Sequence, residues 1–189
     1  MLEFNPMGHV YTYDGKVVPS VTTILDILSD WQYVDREMLE RAAEFGTHVH
    51  LACAMAVRET LDWDDLDPAL EPFLRGFQKF LRDGKAIVLE SESPVYHAGL
   101  QYAGTLDLVV EMNGSQAVVD IKTGVAPPKT VGAQCSAYAM ARFGDAGKRM
   151  KRYCLCLTHG GYKLTPLKDP NDWNIFVSAR NLHRFKYGE

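Results

Sequence analysis

The sequence lacks a long apolar run, and this absence excludes one class of protein. Hydrophobic residues make up 47% of the 189 residues, but no uncharged stretch approaches the roughly 20 apolar residues that a membrane helix needs. The first residues, Met1 to Asn5, show neither the basic flank nor the apolar run of a secretory signal. We therefore expect a soluble protein of a cytoplasmic, reducing compartment with no membrane partner.

Cysteines are few, and linkers and repeats are absent. Four cysteines in a reducing compartment are expected to be free, packed thiols. There is no Gly/Ser-rich linker, internal repeat or low-complexity segment, and 189 residues suffice for one core. We predict a single domain over residues 1–189.

Positive charge is scarce in the first two thirds of the chain. Residues 1–128 hold nine Lys/Arg and twenty Asp/Glu, whereas residues 129–189 hold eleven and four. The basic last third is consistent with a polyanionic partner or with pairing against the acidic first part. Charge alone does not choose between the two.

Turn and cap signals divide residues 1–84 into a hairpin and helices. Asp14-Gly15 sits between two alternating segments and predicts a β-hairpin. Ser20 is a helix cap, and Asp67-Pro68 is a second helix start. Gly46 either separates two helices or permits close packing. The predicted elements are a hairpin over 9–18 and helices over 20–28, 35–61 and 67–83.

From residue 85 onward the apolar period changes from helical to alternating. The pattern predicts strands over 86–96, 101–111 and 116–122, a helix over 129–143, strands over 149–157 and 162–167, and a helix from 169 to 185. This order predicts an α/β fold with a central mixed β-sheet flanked by helices.

Asn113-Gly114 is the strongest short-range hairpin signal in the chain. With a two-residue turn, Asp107 lies directly opposite Asp120 on one face of the strand pair. The other face, with Leu106 and Leu108, is expected to be the core.

Two opposed carboxylates repel each other unless a cation lies between them. Lys122 shares the face of Asp120 because side chains alternate along a strand. Oxygen ligands of this kind suit Mg²⁺ or Mn²⁺. The alternative is a surface Asp–Lys cluster without chemical consequence.

Six short motifs occur in order between residues 19 and 138. Each is weak alone, but together they resemble the PD-(D/E)XK nuclease superfamily, in the RecB-like branch that includes phage exonucleases and the mitochondrial genome-maintenance exonuclease. Residues 139–189 carry no motif that can be placed. The motifs are Pro19-Ser20-Val21-Thr22-Thr23-Ile24-Leu25, Gly46-Thr47-His48-Val49-His50, Ser91-Glu92-Ser93-Pro94-Val95, Gly104-Thr105-Leu106-Asp107, Val119-Asp120-Ile121-Lys122-Thr123 and Gln134-Cys135-Ser136-Ala137-Tyr138.

The resemblance implies a restriction-endonuclease-like core over residues 85–189, with residues 1–84 forming an N-terminal helical wall. It also implies that His50, Asp107 and Asp120 bind the metal, together with the main-chain carbonyl of Ile121. The alternative for His50 is a core histidine, and its neighbour His48 is expected to point elsewhere.

The same resemblance implies roles for four further side chains. Lys122 would position and help deprotonate the attacking water and stabilise charge on the phosphate. Glu92 would act as an outer ligand or water organiser. Gln134 and Tyr138, one helical turn apart, would hold the lysine or the scissile phosphate. Their alternative roles are a helix cap and a core aromatic.

Some RecB-like nucleases hold an iron–sulfur cluster, but the cysteine spacing here departs from that pattern. Cys154 and Cys156 alone are close in sequence, so we expect no iron–sulfur cluster.

A basic run, Lys148, Arg149, Lys151 and Arg152, is expected either to contact the DNA backbone or to form a solvated loop. Trp31, Tyr33, Trp63 and Trp173 could stack on bases, although core packing is the better expectation for most of them.

The resemblance implies a metal-dependent DNA nuclease, an exonuclease acting on strand ends and leaving 5′-phosphates, in bacterial or phage-infected cytoplasm. RNA remains a possible substrate. The alternatives are a non-catalytic nucleic-acid-binding module and a nuclease subunit of a larger recombination, repair or replication complex.

Overall fold

The computed structural model describes residues 1–5, 8–29 and 35–188. Its strands are β1 (Leu2–Asn5), β2 (Val10–Tyr13), β3 (Lys16–Val18), β4 (Ile87–His97), β5 (Tyr102–Met112), β6 (Ser115–Thr123), β7 (Lys151–Thr158) and β8 (Gly161–Pro166). Its helices are α1 (Val21–Leu25), α2 (Arg36–Val57), α3 (Glu71–Asp83), α4 (Val131–Phe143) and α5 (Asp172–Tyr187). Short 3₁₀ turns follow α1 and α4.

The five longer strands form one sheet in the order β4-β5-β6-β7-β8. Only the β6–β7 pair is parallel, because α4 carries the chain across the sheet between them. The other three pairs are antiparallel hairpins. The predicted mixed sheet with flanking helices is thereby confirmed.

Both faces of the sheet are buried, which corrects the expectation of a single core face. Helices α2 and α3 pack on one face through a cluster that includes Leu108 and Val119. Helices α1, α4 and α5 cover the other face through a cluster that includes Val109 and Val118. Leu106 belongs to this second cluster, although strict alternation puts it beside Leu108. The alternation is therefore interrupted around Asp107.

The Asn113-Gly114 turn forms as predicted. Both residues have positive φ, +51° and +66°, as a two-residue hairpin turn of type I′ requires. The register runs from Met112 opposite Ser115 to Leu108 opposite Val119, as the sequence predicts.

Three details of the N-terminal part differ from expectation. β1 adds a third strand to the β2–β3 hairpin. Helix α2 continues through Gly46, since one glycine costs only about 1 kcal/mol in a helix of this length. Helix α3 starts at Glu71 because Asp67 caps a turn instead, accepting a hydrogen bond from the Ala69 N–H at 2.8 Å.

Within the ranges given above, no helix combines the length and the apolar character needed to cross a bilayer. This finding agrees with the absence of a long apolar run in the sequence.

Candidate metal centre

Three carboxylates lie in a row across the middle of the sheet. The β4–β5 register pairs Ser91 with Leu108 and Ser93 with Leu106, so Glu92 falls opposite Asp107. The β5–β6 register places Asp107 next to Asp120 in the same way, one step beyond its last regular pair. There the Asp107 carboxylate accepts the Ile121 N–H at 2.6 Å. At this point a side-chain hydrogen bond takes the place of a main-chain hydrogen bond between β5 and β6.

Glu92 reaches this row through an unusual backbone conformation. Its φ is +48°, in the left-handed region that side chains with a Cβ rarely adopt. Every other non-glycine residue with positive φ in the described ranges lies in a turn, whereas Glu92 lies inside a strand. Such strain persists only where the surrounding structure enforces it, and it is often found at functional sites.

His50 projects from α2 onto the row. Its Nε2 lies 2.9 Å from the Ile121 carbonyl oxygen. A carbonyl only accepts, so Nε2 carries the proton and donates. The other ring nitrogen, Nδ1, lies 3.4 Å from an Asp107 oxygen and 3.7 Å from a Glu92 oxygen. The donor atoms of His50, Glu92 and Asp107 all lie within 4.8 Å of one another.

The neighbouring charges favour the charged forms of both His50 and Asp107. Burial lowers the pKa of His50, but the Asp107 charge and the contacts with Asp107 and Glu92 outweigh burial and raise that pKa to about 10. Burial raises the pKa of Asp107, but His50 and Lys122 outweigh it and hold that pKa below its ordinary value. In this environment a cation at Nδ1 is strongly favoured, either a proton or a metal ion.

An ion pair between a buried aspartate and a half-buried lysine lies next to this group. Lys122 Nζ is 2.6 Å from Asp120 Oδ2, and the Asp120 side chain is 1% exposed. Among the described residues Asp120 Oδ1 has no hydrogen-bond partner, whereas Oδ2 has the Lys122 ammonium as its ionic partner. Burial raises the pKa of Asp120 to about 6, although Lys122 opposes this shift. The Asp120 and Asp107 charges hold the pKa of Lys122 above its ordinary value despite burial.

Helix α4 covers the site with the two polar residues that the sequence analysis singled out. Gln134 Nε2 donates to the Tyr138 hydroxyl at 3.3 Å, and both side chains are buried. Burial, and then the charges of Asp107 and Asp120, raise the pKa of Tyr138. The Tyr138 ring also explains Gly104, because a Cβ there would lie 2.7 Å from a ring carbon.

The donor set fits a divalent cation. It offers one imidazole and two carboxylates, and Asp120, whose Oδ1 has no hydrogen-bond partner among the described residues, lies beside it. The set of residues in the candidate metal site differs from the expectation at two points. Glu92 is part of the three-residue group, whereas Asp120 pairs with Lys122. The Ile121 carbonyl accepts from His50, and so orients the ring as well as offering an oxygen.

Sequence reasoning missed Tyr11, a buried residue of β2 whose hydroxyl lies 2.9 Å from Thr105 Oγ1. Burial raises the pKa of Tyr11, and the charges of Glu92 and Asp107 add to this effect. The hairpin therefore reaches the candidate site. The alternating Val10-Tyr11-Thr12-Tyr13 segment was the available signal, but it identifies a strand and not its packing partner.

The basic run lies away from the site. Lys151 pairs with Ala117 at the start of β6, whereas Lys122 lies five residues further along that strand, about 16 Å away at 3.3 Å per residue. Lys148 pairs with Asp145, and Lys151 donates to Ser115. Arg149 is exposed.

Arg152 has a different environment from the rest of the run. It forms an ion pair with Asp172 at 3.0 Å and donates to the carbonyls of Gly132 and Asp169. It therefore ties β7 to α4 and to the start of α5. The expected backbone contact with DNA is a weaker assignment for Arg152 than for its exposed neighbours.

The four cysteines are buried free thiols. Cys154 and Cys156 approach to 3.7 Å between sulfurs. Of the four aromatics considered for stacking, Trp173 packs against Phe176, and Trp63 is 40% exposed. Trp31 and Tyr33 lie outside the described residues.

No protein-family model matches the chain, and no curated protein matches it. Among solved structures, it is similar to one titled "Crystal structure of SSO0001", at 19% sequence identity over 71% of this chain and 71% of that chain, with a TM-score of 0.38. This likeness is too low to bear on function, so the functional argument rests on the site itself.

Proposed function

We propose that this protein is a divalent-metal-dependent DNA nuclease. The observation that carries the proposal is the group of His50, Glu92 and Asp107 beside the ion pair of Lys122 with the buried Asp120. The resemblance of the six motifs to RecB-like nucleases supports it independently of the geometry.

The residues divide the required chemistry between them. His50, Glu92 and Asp107 would hold Mg²⁺ or Mn²⁺, with Asp120 and the Ile121 carbonyl as the nearest further oxygens. A bound ion of this kind supplies an activated water near neutral pH and neutralises charge on the phosphate.

Lys122 keeps its positive charge because two carboxylates surround it. It stabilises the negative charge that develops on the phosphate, and it orients the attacking water by donating a hydrogen bond. Gln134 and Tyr138 supply neutral donors from α4 that would position the scissile phosphate. Cleavage that leaves a 5′-phosphate, and action from strand ends, belong to the same proposal.

The test is degradation of a 5′-labelled single strand and a blunt duplex, with Mn²⁺ or with EDTA. We expect metal-dependent cleavage by the wild type, loss of cleavage in His50→Gln, and retention in His48→Gln. His48 is the matched control because it is an exposed histidine two residues away on the same helix. A 5′-labelled RNA strand in parallel defines the sugar specificity.

Binding of DNA without cleavage in any metal would reject the nuclease and favour a non-catalytic binding module. Cleavage that persists in His50→Gln would show that the site is elsewhere. Assembly into a larger complex is tested by adding candidate recombination or replication proteins and measuring the size of the resulting complex with and without DNA.

A further inference from the structure

A second pocket lies where the N-terminal hairpin meets the turn between β4 and β5. Its volume is about 350 Å³, within the range of small-ligand sites. Tyr13 and Tyr96 form one wall as a stacked pair, with ring centroids 3.9 Å apart and planes at 12°. The wall therefore presents aromatic surface to the cavity.

The rest of the lining carries an excess of positive charge. Lys16 is exposed and lies directly opposite Tyr13 across the hairpin. Arg180 lines the pocket although it is 2% exposed, and its guanidinium is held by the carbonyls of Leu100 and Gln101. Asp14 is the one carboxylate of the lining, and it forms an ion pair with the N-terminal amine.

The hairpin connects this pocket to the candidate metal centre. Tyr11 and Tyr13 are two residues apart on β2 and so share a face. Tyr11 bonds to Thr105 and lies near enough to Glu92 and Asp107 for their charges to raise its pKa, whereas Tyr13 lines the pocket. Along β4, Tyr96 is four residues beyond Glu92, about 13 Å at 3.3 Å per residue. That distance corresponds to about four steps of a strand stacked as in B-form DNA, at about 3.4 Å each.

We propose that this pocket binds one nucleotide of the substrate strand, a few nucleotides from the phosphate at the metal centre. The base stacks on the Tyr13–Tyr96 wall, and Lys16 contacts the adjoining phosphate. The inference deepens the proposed function and rests on it. Its chemistry follows from the lining, because aromatic faces accept any base and cations accept the backbone.

The test is the affinity of a fluorescein-labelled dT₂₀ strand, measured by anisotropy in EDTA so that binding is separated from cleavage. We expect Lys16→Glu and Tyr13→Leu each to raise Kd about tenfold, which corresponds to about 1.4 kcal/mol. Lys163→Glu is the matched control, since Lys163 is an exposed lysine on β8 at the other edge of the sheet. It should change Kd less than twofold.

A cleavage series separates the two proposals. With Mn²⁺, Lys16→Glu should raise KM for dT₂₀ about tenfold with little change in kcat, whereas Lys163→Glu should leave both unchanged. Wild-type Kd and KM in Lys16→Glu, with cleavage intact, would overturn the pocket proposal and leave the nuclease standing. If the wild type neither binds nor cleaves dT₂₀, both proposals are overturned.

Two further outcomes have a defined meaning. If free dTMP binds in a Lys16-dependent way while dT₂₀ affinity is unchanged, the pocket serves a free nucleotide and the strand proposal fails. If circular dichroism shows that Tyr13→Leu is unfolded, Lys16→Glu alone decides, since the exposed Lys16 side chain contributes little to folding.

Discussion

Two ion pairs, each with a buried aspartate, lie at different places in the fold, and they are built differently. Arg152 and Asp172 pair at 3.0 Å, and the guanidinium also donates to two main-chain carbonyls. Lys122 and Asp120 pair at 2.6 Å through Oδ2, and Asp120 Oδ1 has no hydrogen-bond partner among the described residues. The guanidinium of the first pair has three oxygen partners, whereas the second pair leaves one carboxylate oxygen without a partner among the described residues.

The difference favours a structural role for the first pair and is consistent with the functional role that we propose for the second. A buried charge without hydrogen bonds costs stability, and a fold retains it where another group completes the site. The Lys122–Asp120 pair lies beside three further donor atoms, and the Arg152–Asp172 pair lies beside carbonyls that already satisfy it. Replacing Lys122 or Arg152 by methionine tests this difference directly.

Arg152→Met should have the largest effect on stability. It leaves Asp172 buried beside main-chain carbonyls, so we expect the free energy of unfolding to fall by about 3–5 kcal/mol. Urea denaturation followed by circular dichroism measures this loss. A loss below about 1 kcal/mol would contradict the structural role.

Lys122→Met should mainly remove activity. We expect a loss of about 10²–10³-fold in kcat, or about 2.7–4 kcal/mol, as for the removal of one charge-stabilising donor. Its effect on stability should be smaller than that of Arg152→Met, because Asp120 already has a pKa of about 6 and takes up a proton readily. Single-turnover cleavage and urea denaturation of the same preparation test both parts. If Lys122→Met lowers the free energy of unfolding without a specific loss of kcat, both ion pairs have a structural role.

Manganese binding should depend on pH through His50. In the metal-free protein the pKa of His50 is about 10, so a metal ion at Nδ1 must displace a proton below that pH. The Kd for Mn²⁺ should therefore fall about tenfold, or 1.4 kcal/mol, for each pH unit between 6.5 and 8.5. Calorimetry in two buffers should show about one proton released per ion.

His50→Gln should abolish the proton release, and His48→Gln should preserve it. A pH-independent Kd in the wild type would exclude Nδ1 as a ligand. The Arg152–Asp172 pair offers an internal comparison, because Arg152→Met should leave the pH dependence unchanged in the folded protein.

The backbone strain at Glu92 should produce the smallest effect. Glu92→Gly and Glu92→Ala both remove the carboxylate, but only glycine adopts a φ of +48° without steric cost. We expect Glu92→Gly to be more stable than Glu92→Ala by about 1 kcal/mol. Both variants should bind Mn²⁺ more weakly than the wild type. Equal stability of the two variants would show that the strand relaxes and stores no strain.

Much of the fold was predictable from local patterns. The Asn113-Gly114 turn and the alternating strands around it predicted the β5–β6 register correctly, because a two-residue turn leaves one pairing. Helix starts were less predictable. Asp67 has the signature of a helix cap, and tertiary packing uses it for a turn four residues before α3.

The candidate site was predictable in part. Asp107, Asp120 and Lys122 follow from register and alternation, whereas His50, Gln134 and Tyr138 were indicated only by the resemblance of their motifs. The position of Glu92 depends on a left-handed residue inside β4, which no sequence pattern signalled. The contact of Tyr11 with the site depends on how the hairpin docks, and its alternation carries no information about that.

The amino-acid sequence by itself determined the elements, the central hairpin and the opposition of two aspartates, because these depend on neighbours within a few residues of a turn. Only the tertiary structure decided which charged groups share the site. Glu92 joined His50 and Asp107, and Asp120 paired with Lys122. It also decided that Arg152 ties helices to the sheet. These choices depend on burial and on contacts between distant segments, which fix the cost of each unpaired charge.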